Sequence, residues 1–213
     1  MAQFSSYPFF IKSAVMKYFR KEYGRSEVRS LWNKTFALYK DFVEKAPDIG
    51  GRENKMSKNL YMALAVFAFY EAIDRKITNE ELKNLIAEYM PKQIPIVSAL
   101  LDFNKPKNQE RLRKRYEKYK AISDSKLANG EWGNNWRVEM NPHNRTKGVA
   151  FDLIGCPLAD FARKYGYIDI MPVLCDFDYS TASIIHARLI REHTVATGNE
   201  YCDYWYIGDK DTE

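Results

Sequence analysis

The sequence predicts an α+β fold, with a helical N-terminal lobe followed by a C-terminal antiparallel sheet that carries two inserted helices. Apolar residues keep the helical period through the first 126 residues and alternate with a period of two from residue 132 onward. Charge changes at the same place. Residues 1–126 hold 25 Lys and Arg against 15 Asp and Glu, whereas residues 127–213 hold 8 against 13. The cysteines Cys156, Cys175 and Cys202 and the histidines His143, His186 and His193 all lie in the second part. The expected domains are therefore 1–126, the helical lobe, and 127–213, the α+β domain that carries the chemistry, packed as one compact unit.

From Val28, the residues Leu31, Trp32, Leu38, Tyr39, Phe42 and Val43 follow the helical period. A long amphipathic helix is expected there, capped by Ser26 and closed by Pro47, with Gly24 ending the helix before it. Gly50 and Gly51 mark a loop over 48–54. Ser57 is the expected cap of the segment Leu60 to Ile73, which is apolar nearly all round and predicts the central helix of the lobe. Thr78 and Glu81 have capping-box spacing before Leu82, Leu85, Ile86 and Tyr89, a short helix ending at Pro91. Helices are also predicted over 94–103 and 107–123. In the latter, Leu112, Tyr116, Tyr119 and Ile122 form an inward stripe, so Arg111, Arg113, Lys114, Arg115 and Lys118 read as a solvated face. With no helix-turn-helix or zinc-finger signature beside them, nucleic acid is not an expected partner.

Beyond Asn129-Gly130, the residues Trp132, Asn134, Trp136, Val138 and Met140 predict a strand with one large-residue face. A second strand is expected over 148–155, after a hairpin loop at 142–147. Pro157 to Tyr165 reads as a helix opened by proline at its first position and closed by Gly166. Pro172 opens a further helical stretch to His186. Two final strands, 188–196 and 201–208, are joined by a turn at Thr197-Gly198-Asn199.

With 46% hydrophobic residues, among them 15 Tyr, 12 Phe and 4 Trp, the chain can bury an ample core without disulfides or metal. The longest uncharged apolar run, Leu60 to Tyr70, falls short of the ~20 residues a membrane span needs, so no membrane partner is expected. Met1 to Phe10 lacks a basic segment ahead of its aromatics, which argues against a secretory signal, and three cysteines cannot all pair within one chain. The reading is a cytoplasmic protein with free thiols, without cofactor, acting on a small molecule; a homo-oligomer is compatible with it.

Cys156 precedes Pro157 at a helix start, where unpaired N–H groups and the helix dipole favour a thiolate. Against this stands the small buried filler that free cysteine often is. Cys175 is followed by Asp176 and Asp178, either of which can act as a base toward water or serve only as a helix cap. Cys202 shares a strand face with Tyr204 and Tyr206, while Asp203 and Trp205 face the other way. His193 shares a face with Arg191, one that would lie beside Cys202. Arg137, Arg188 and Arg191 are candidates for clamping a carboxylate. Three cysteines and a histidine also suit zinc, but cysteine intervals of 19 and 27 residues are not those of a metal knuckle, so no metal is expected.

Taken together, Gly155-Cys156-Pro157-Leu158-Ala159-Asp160, Tyr165-Gly166, Pro172 to Cys175 with Asp178, Arg191 with Thr194 and Gly198, and Cys202-Asp203-Tyr204 resemble the L-2-amino-thiazoline-4-carboxylic acid hydrolase family. The resemblance covers roughly 132–207. It implies a hydrolase that opens a small cyclic amidine-like carboxylic acid, with Cys156, Cys175, Asp178, Cys202 and Asp203 as catalytic candidates and Arg191, Thr194 and Trp205 toward the substrate. Trp205 departs from the family pattern, which often has a basic residue there, and this implies a more apolar ligand. The alternative is a non-catalytic small-molecule or metal-binding sensor module on the same scaffold.

Overall fold

The computed structural model describes residues 6–87 and 100–211. The chain divides into two units, Met1–Met90 and Pro91–Glu213, so the division falls earlier than the expected 126. The long basic helix packs on the sheet and belongs with it. The helix expected over 94–103 lies mostly outside the described residues, as do Tyr89 and Pro91; Leu101 to Phe103 are not helical.

The first unit holds α1 (Phe9–Glu22), α2 (Arg25–Lys45), α3 (Ser57–Ala72) and α4 (Asn79–Ala87). As its apolar circumference requires, α3 is the central helix, with Leu60, Leu64, Ala65, Phe67 and Ala68 fully enclosed. Thr78 and Glu81 cap α4 reciprocally, at 3.2 and 2.8 Å. Two expected caps are corrected. Gly24, not Ser26, caps α2, because Glu27 reaches back to the Gly24 N–H at 3.1 Å. At α3 the side chain of Asn54 takes the Met56 N–H at 2.9 Å, and Ser57 is already the first helical residue.

The second unit sets α5 (Pro106–Ala128) against a sheet of four antiparallel strands: β1 (Arg137–Met140), β2 (Val149–Ile154), β3 (Ala187–Ile190) and β4 (Tyr201–Gly208), in the order β1-β2-β4-β3. Between β2 and β3 run α6 (Pro157–Tyr165), α7 (Met171–Cys175) and α8 (Phe177–Ile184). The architecture is α+β. On one sheet face, Phe151 stacks on Tyr204 and receives Tyr116 from α5 at a centroid distance of 3.8 Å. Further along α5 the inward residue is Ser123, which is fully buried, while Ile122 is 42% exposed. Trp132 and Trp136 are buried but precede β1; a left-handed φ of 53° at Trp132 breaks the alternation that predicted a longer strand. The stretch expected from Pro172 to His186 is two short helices that meet at Asp176. β3 stops at Ile190; the rest of the expected strand is irregular over 191–194 and then enters a 3₁₀ turn at Val195–Thr197.

Candidate active site

The register of β4 puts Cys202 opposite Leu153 and Tyr204 opposite Phe151, so both face the aromatic side of the sheet. Leu189 of β3 pairs with Tyr206, and Arg191, two residues on, turns toward the same side. There Arg191 Nη1 donates to Asp178 Oδ2 at 2.8 Å, and Nη2 donates to the Cys175 carbonyl at 2.9 Å. The break between α7 and α8 frees that carbonyl from helical bonding. Tyr204 donates its hydroxyl to the same Asp178 Oδ2 at 2.8 Å. The guanidinium also lies 4.9 and 5.2 Å from the ring centres of Tyr179 and Tyr204, within cation–π range.

Burial differs sharply within this ion pair. The Arg191 side chain is 2% exposed and that of Asp178 is 40% exposed. Burial acts to lower the pKa of Arg191, but Tyr204, Asp178 and Cys175 more than offset it, and the group is held above its ordinary value. Burial raises Asp178 above the usual carboxylate range, opposed by Arg191 and the Tyr204 hydroxyl. Because water still reaches Asp178, solvent moderates that rise. Among the described residues, both side-chain bonds to Asp178 converge on Oδ2, which leaves Oδ1 open to a further partner.

The three thiols lie close enough to influence one another's ionisation. Cys156 is the N-cap residue of α6, as its place before Pro157 predicts, and N–H groups of Ala159 and Leu158 and the Trp136 side chain do favour its thiolate. Burial is the larger effect and pushes Cys156 up to about 11. Cys175 is pushed up to about 12 by burial, with Arg191 opposing. Cys202 is raised by burial too, although the Val195 N–H points at its sulfur from 3.2 Å. Four pH units below its pKa a thiol is ionised to about one part in 10⁴, so the expectation of a thiolate at Cys156 gives way. Iodoacetamide at pH 7 should accordingly label the folded protein slowly at every cysteine and the denatured protein quickly. Fast labelling of native Cys156 would restore the helix-start argument.

The remaining candidates stand elsewhere. Asp203 points to the opposite sheet face and accepts the Glu192 and His193 backbone N–H groups, at 3.1 and 2.5 Å to Oδ1. His193 is with it, since the alternation that would have set it beside Arg191 and Cys202 ends with β3. Thr194 caps the 3₁₀ turn by accepting the Thr197 N–H at 3.2 Å. Trp205 donates to the Lys147 carbonyl at 2.9 Å and lies under Arg145, whose guanidinium is 4.3 Å from the ring. Arg145 also lines a cleft of about 240 Å³ with Arg113, Glu117 and Thr146, away from the thiols. Tyr204 is the site residue that the candidate set lacked; its place two residues after Cys202 was the available signal.

The model of the L-2-amino-thiazoline-4-carboxylic acid hydrolase family matches residues 58–206, more than half of the chain. The chain belongs to this family. No curated protein and no solved structure matches it. The thiazoline-carboxylate hydrolase family match spans every residue of the Cys156, Cys175, Asp178, Arg191, Cys202 and Tyr204 cluster. No helix among the described residues is long and apolar enough to cross a membrane.

Proposed function

We propose that the chain hydrolyses a small cyclic amidine-type carboxylic acid, with L-2-amino-thiazoline-4-carboxylate as the first substrate to test, and that Asp178 is the general base. The observation that supports this reading is the division of labour on one carboxylate. Oδ2 is fixed by Arg191 and Tyr204, while Oδ1 remains for a water molecule. A positioned base of this kind is worth about 10²- to 10⁴-fold in rate. Water attacks the ring carbon between nitrogen and sulfur and gives its proton to Asp178, forming a tetrahedral carbon. The C=N electron pair moves to the ring nitrogen, which takes the hydroxyl proton as the carbonyl forms, while the ring sulfur departs with the proton delivered from Asp178; a free thiol and an open-chain urea result. The neutral thiols of Cys156, Cys175 and Cys202 form the wall of the site rather than its nucleophile.

Arg191 takes a different role from the expected carboxylate clamp. Its terminal nitrogens are committed to Asp178 and Cys175, so it positions the base. The test is incubation of the purified protein with the thiazoline acid, read by mass spectrometry for addition of one water and by a thiol reagent for the released sulfhydryl. Turnover supports the assignment. Tight binding without turnover, on this compound and on related lactams and amidines, would transfer the site to the sensor reading.

A further inference from the structure

The opposite face of the sheet carries a second cluster of ionisable groups. Register places Asp152 of β2 between Glu139 of β1 and Asp203 of β4, three carboxylates in a row on one face. Like charges directly opposite one another across strands are destabilising. The Asp152 side chain is 9% exposed, and its partner is the His143 ring, with Nε2 3.2 Å from Oδ2. Next to Asp203, the segment after β3 adds Glu192 and His193. Ligand atoms of Glu192, His193 and Asp203 all lie within 4.8 Å of one another. Among the described residues no lysine or arginine forms an ion pair with any of these four carboxylates.

The segment is held in place. Its two N–H groups bond to the Asp203 carboxylate, the Asp203 N–H donates to the His193 carbonyl at 3.3 Å, and the His193 ring rests 5.5 Å from that of Tyr201. A carboxylate has about four lone-pair positions, so Asp203 keeps acceptor capacity beyond those two N–H groups.

We propose that Glu192, His193 and Asp203 form a binding site for a divalent transition-metal ion on this outer face, separate from the thiols and from Asp178. One imidazole with two carboxylates is a donor set for zinc, manganese or iron, whereas magnesium and calcium prefer oxygen ligands alone. The ion offsets the repulsion along the carboxylate row, with Asp152 supporting it from the neighbouring strand. Its remaining coordination positions are open to water.

Calorimetric titration of the purified chain with Zn²⁺ and Mn²⁺, and with Mg²⁺ as comparison, tests the site. The expected result is one equivalent of transition metal bound in preference to Mg²⁺, with affinity reduced tenfold or more in both His193→Ala and Glu192→Gln. Glu192 is exposed, so its substitution leaves folding intact if the histidine variant does not fold. Co²⁺ loading locates the ion independently: a site of oxygen and nitrogen donors gives no thiolate-to-cobalt charge-transfer band. Absence of binding, unchanged affinity in the folded variants, or a thiolate band would each overturn the proposal.

Discussion

Asp178→Asn is expected to lower turnover about 10²- to 10⁴-fold while substrate affinity changes little. Asparagine keeps an acceptor for Arg191 and Tyr204 but cannot take a proton from water. The loss should therefore fall on kcat, with the circular dichroism spectrum unchanged. The pH profile carries the same argument. Burial raises the pKa of Asp178, and its ionised form is the base, so activity should fall as pH drops through a value above the ordinary aspartate range. Tyr204→Phe removes one of the hydrogen bonds that favour the carboxylate and should move this acid limb to higher pH, a displacement that a purely structural tyrosine would not cause. Wild-type turnover in Asp178→Asn would place the base elsewhere.

Gly148→Ala should be the most damaging small substitution in the hairpin. Gly148 precedes β2 with φ +69°, and a Cβ built there would sit 2.1 Å from the Tyr206 carbonyl oxygen of β4. That obstacle is backbone in the middle of the sheet, so it cannot rotate aside as a side chain would. Left-handed strain alone costs about 1–3 kcal/mol, and displacement of the paired strand adds to it. A total of about 3 kcal/mol or more corresponds to a fall in Tm of roughly 6–12 °C for a chain of this size. Thermal unfolding followed by circular dichroism measures it. An unchanged Tm would mean that the hairpin does not approach β4 so closely.

The elements that were legible in the sequence are those with local causes. The Pro157 to Tyr165 helix appears with both ends as predicted, because proline fixes its first residue and Gly166, at φ 76°, supplies the left-handed cap. The capping box at Thr78 and Glu81 is equally local. Alternation failed where it was extended past a break: Trp132 is left-handed, and β3 ends before His193, so period two says nothing about either side chain. The shared face of Cys202 and Tyr204 was legible for the same reason that these failed, since β4 is unbroken there. The pairing of Arg191 with Asp178 was not legible. It joins the end of one strand to a helix thirteen residues away, and only tertiary packing decides that the arginine serves a carboxylate of its own chain rather than a ligand. Burial of the thiols is similarly a property of the assembled unit, and it reverses the ionisation inferred from the helix start alone.

The strand order has a bearing on solubility. The two longer strands, β2 with 6 residues and β4 with 8, occupy the middle of the sheet, while the outer positions go to β1 and β3 with 4 residues each. Unpaired N–H and C=O groups on an outer strand are a template for another chain, and short outer strands offer few of them. β1 lies against α5 and β3 against α8, which narrows the approach further. The Val149 to Ile154 strand, apolar at five of its six positions, is thus sealed by a partner on either side, and among the described residues the borders this sheet offers to an intermolecular strand are four residues long.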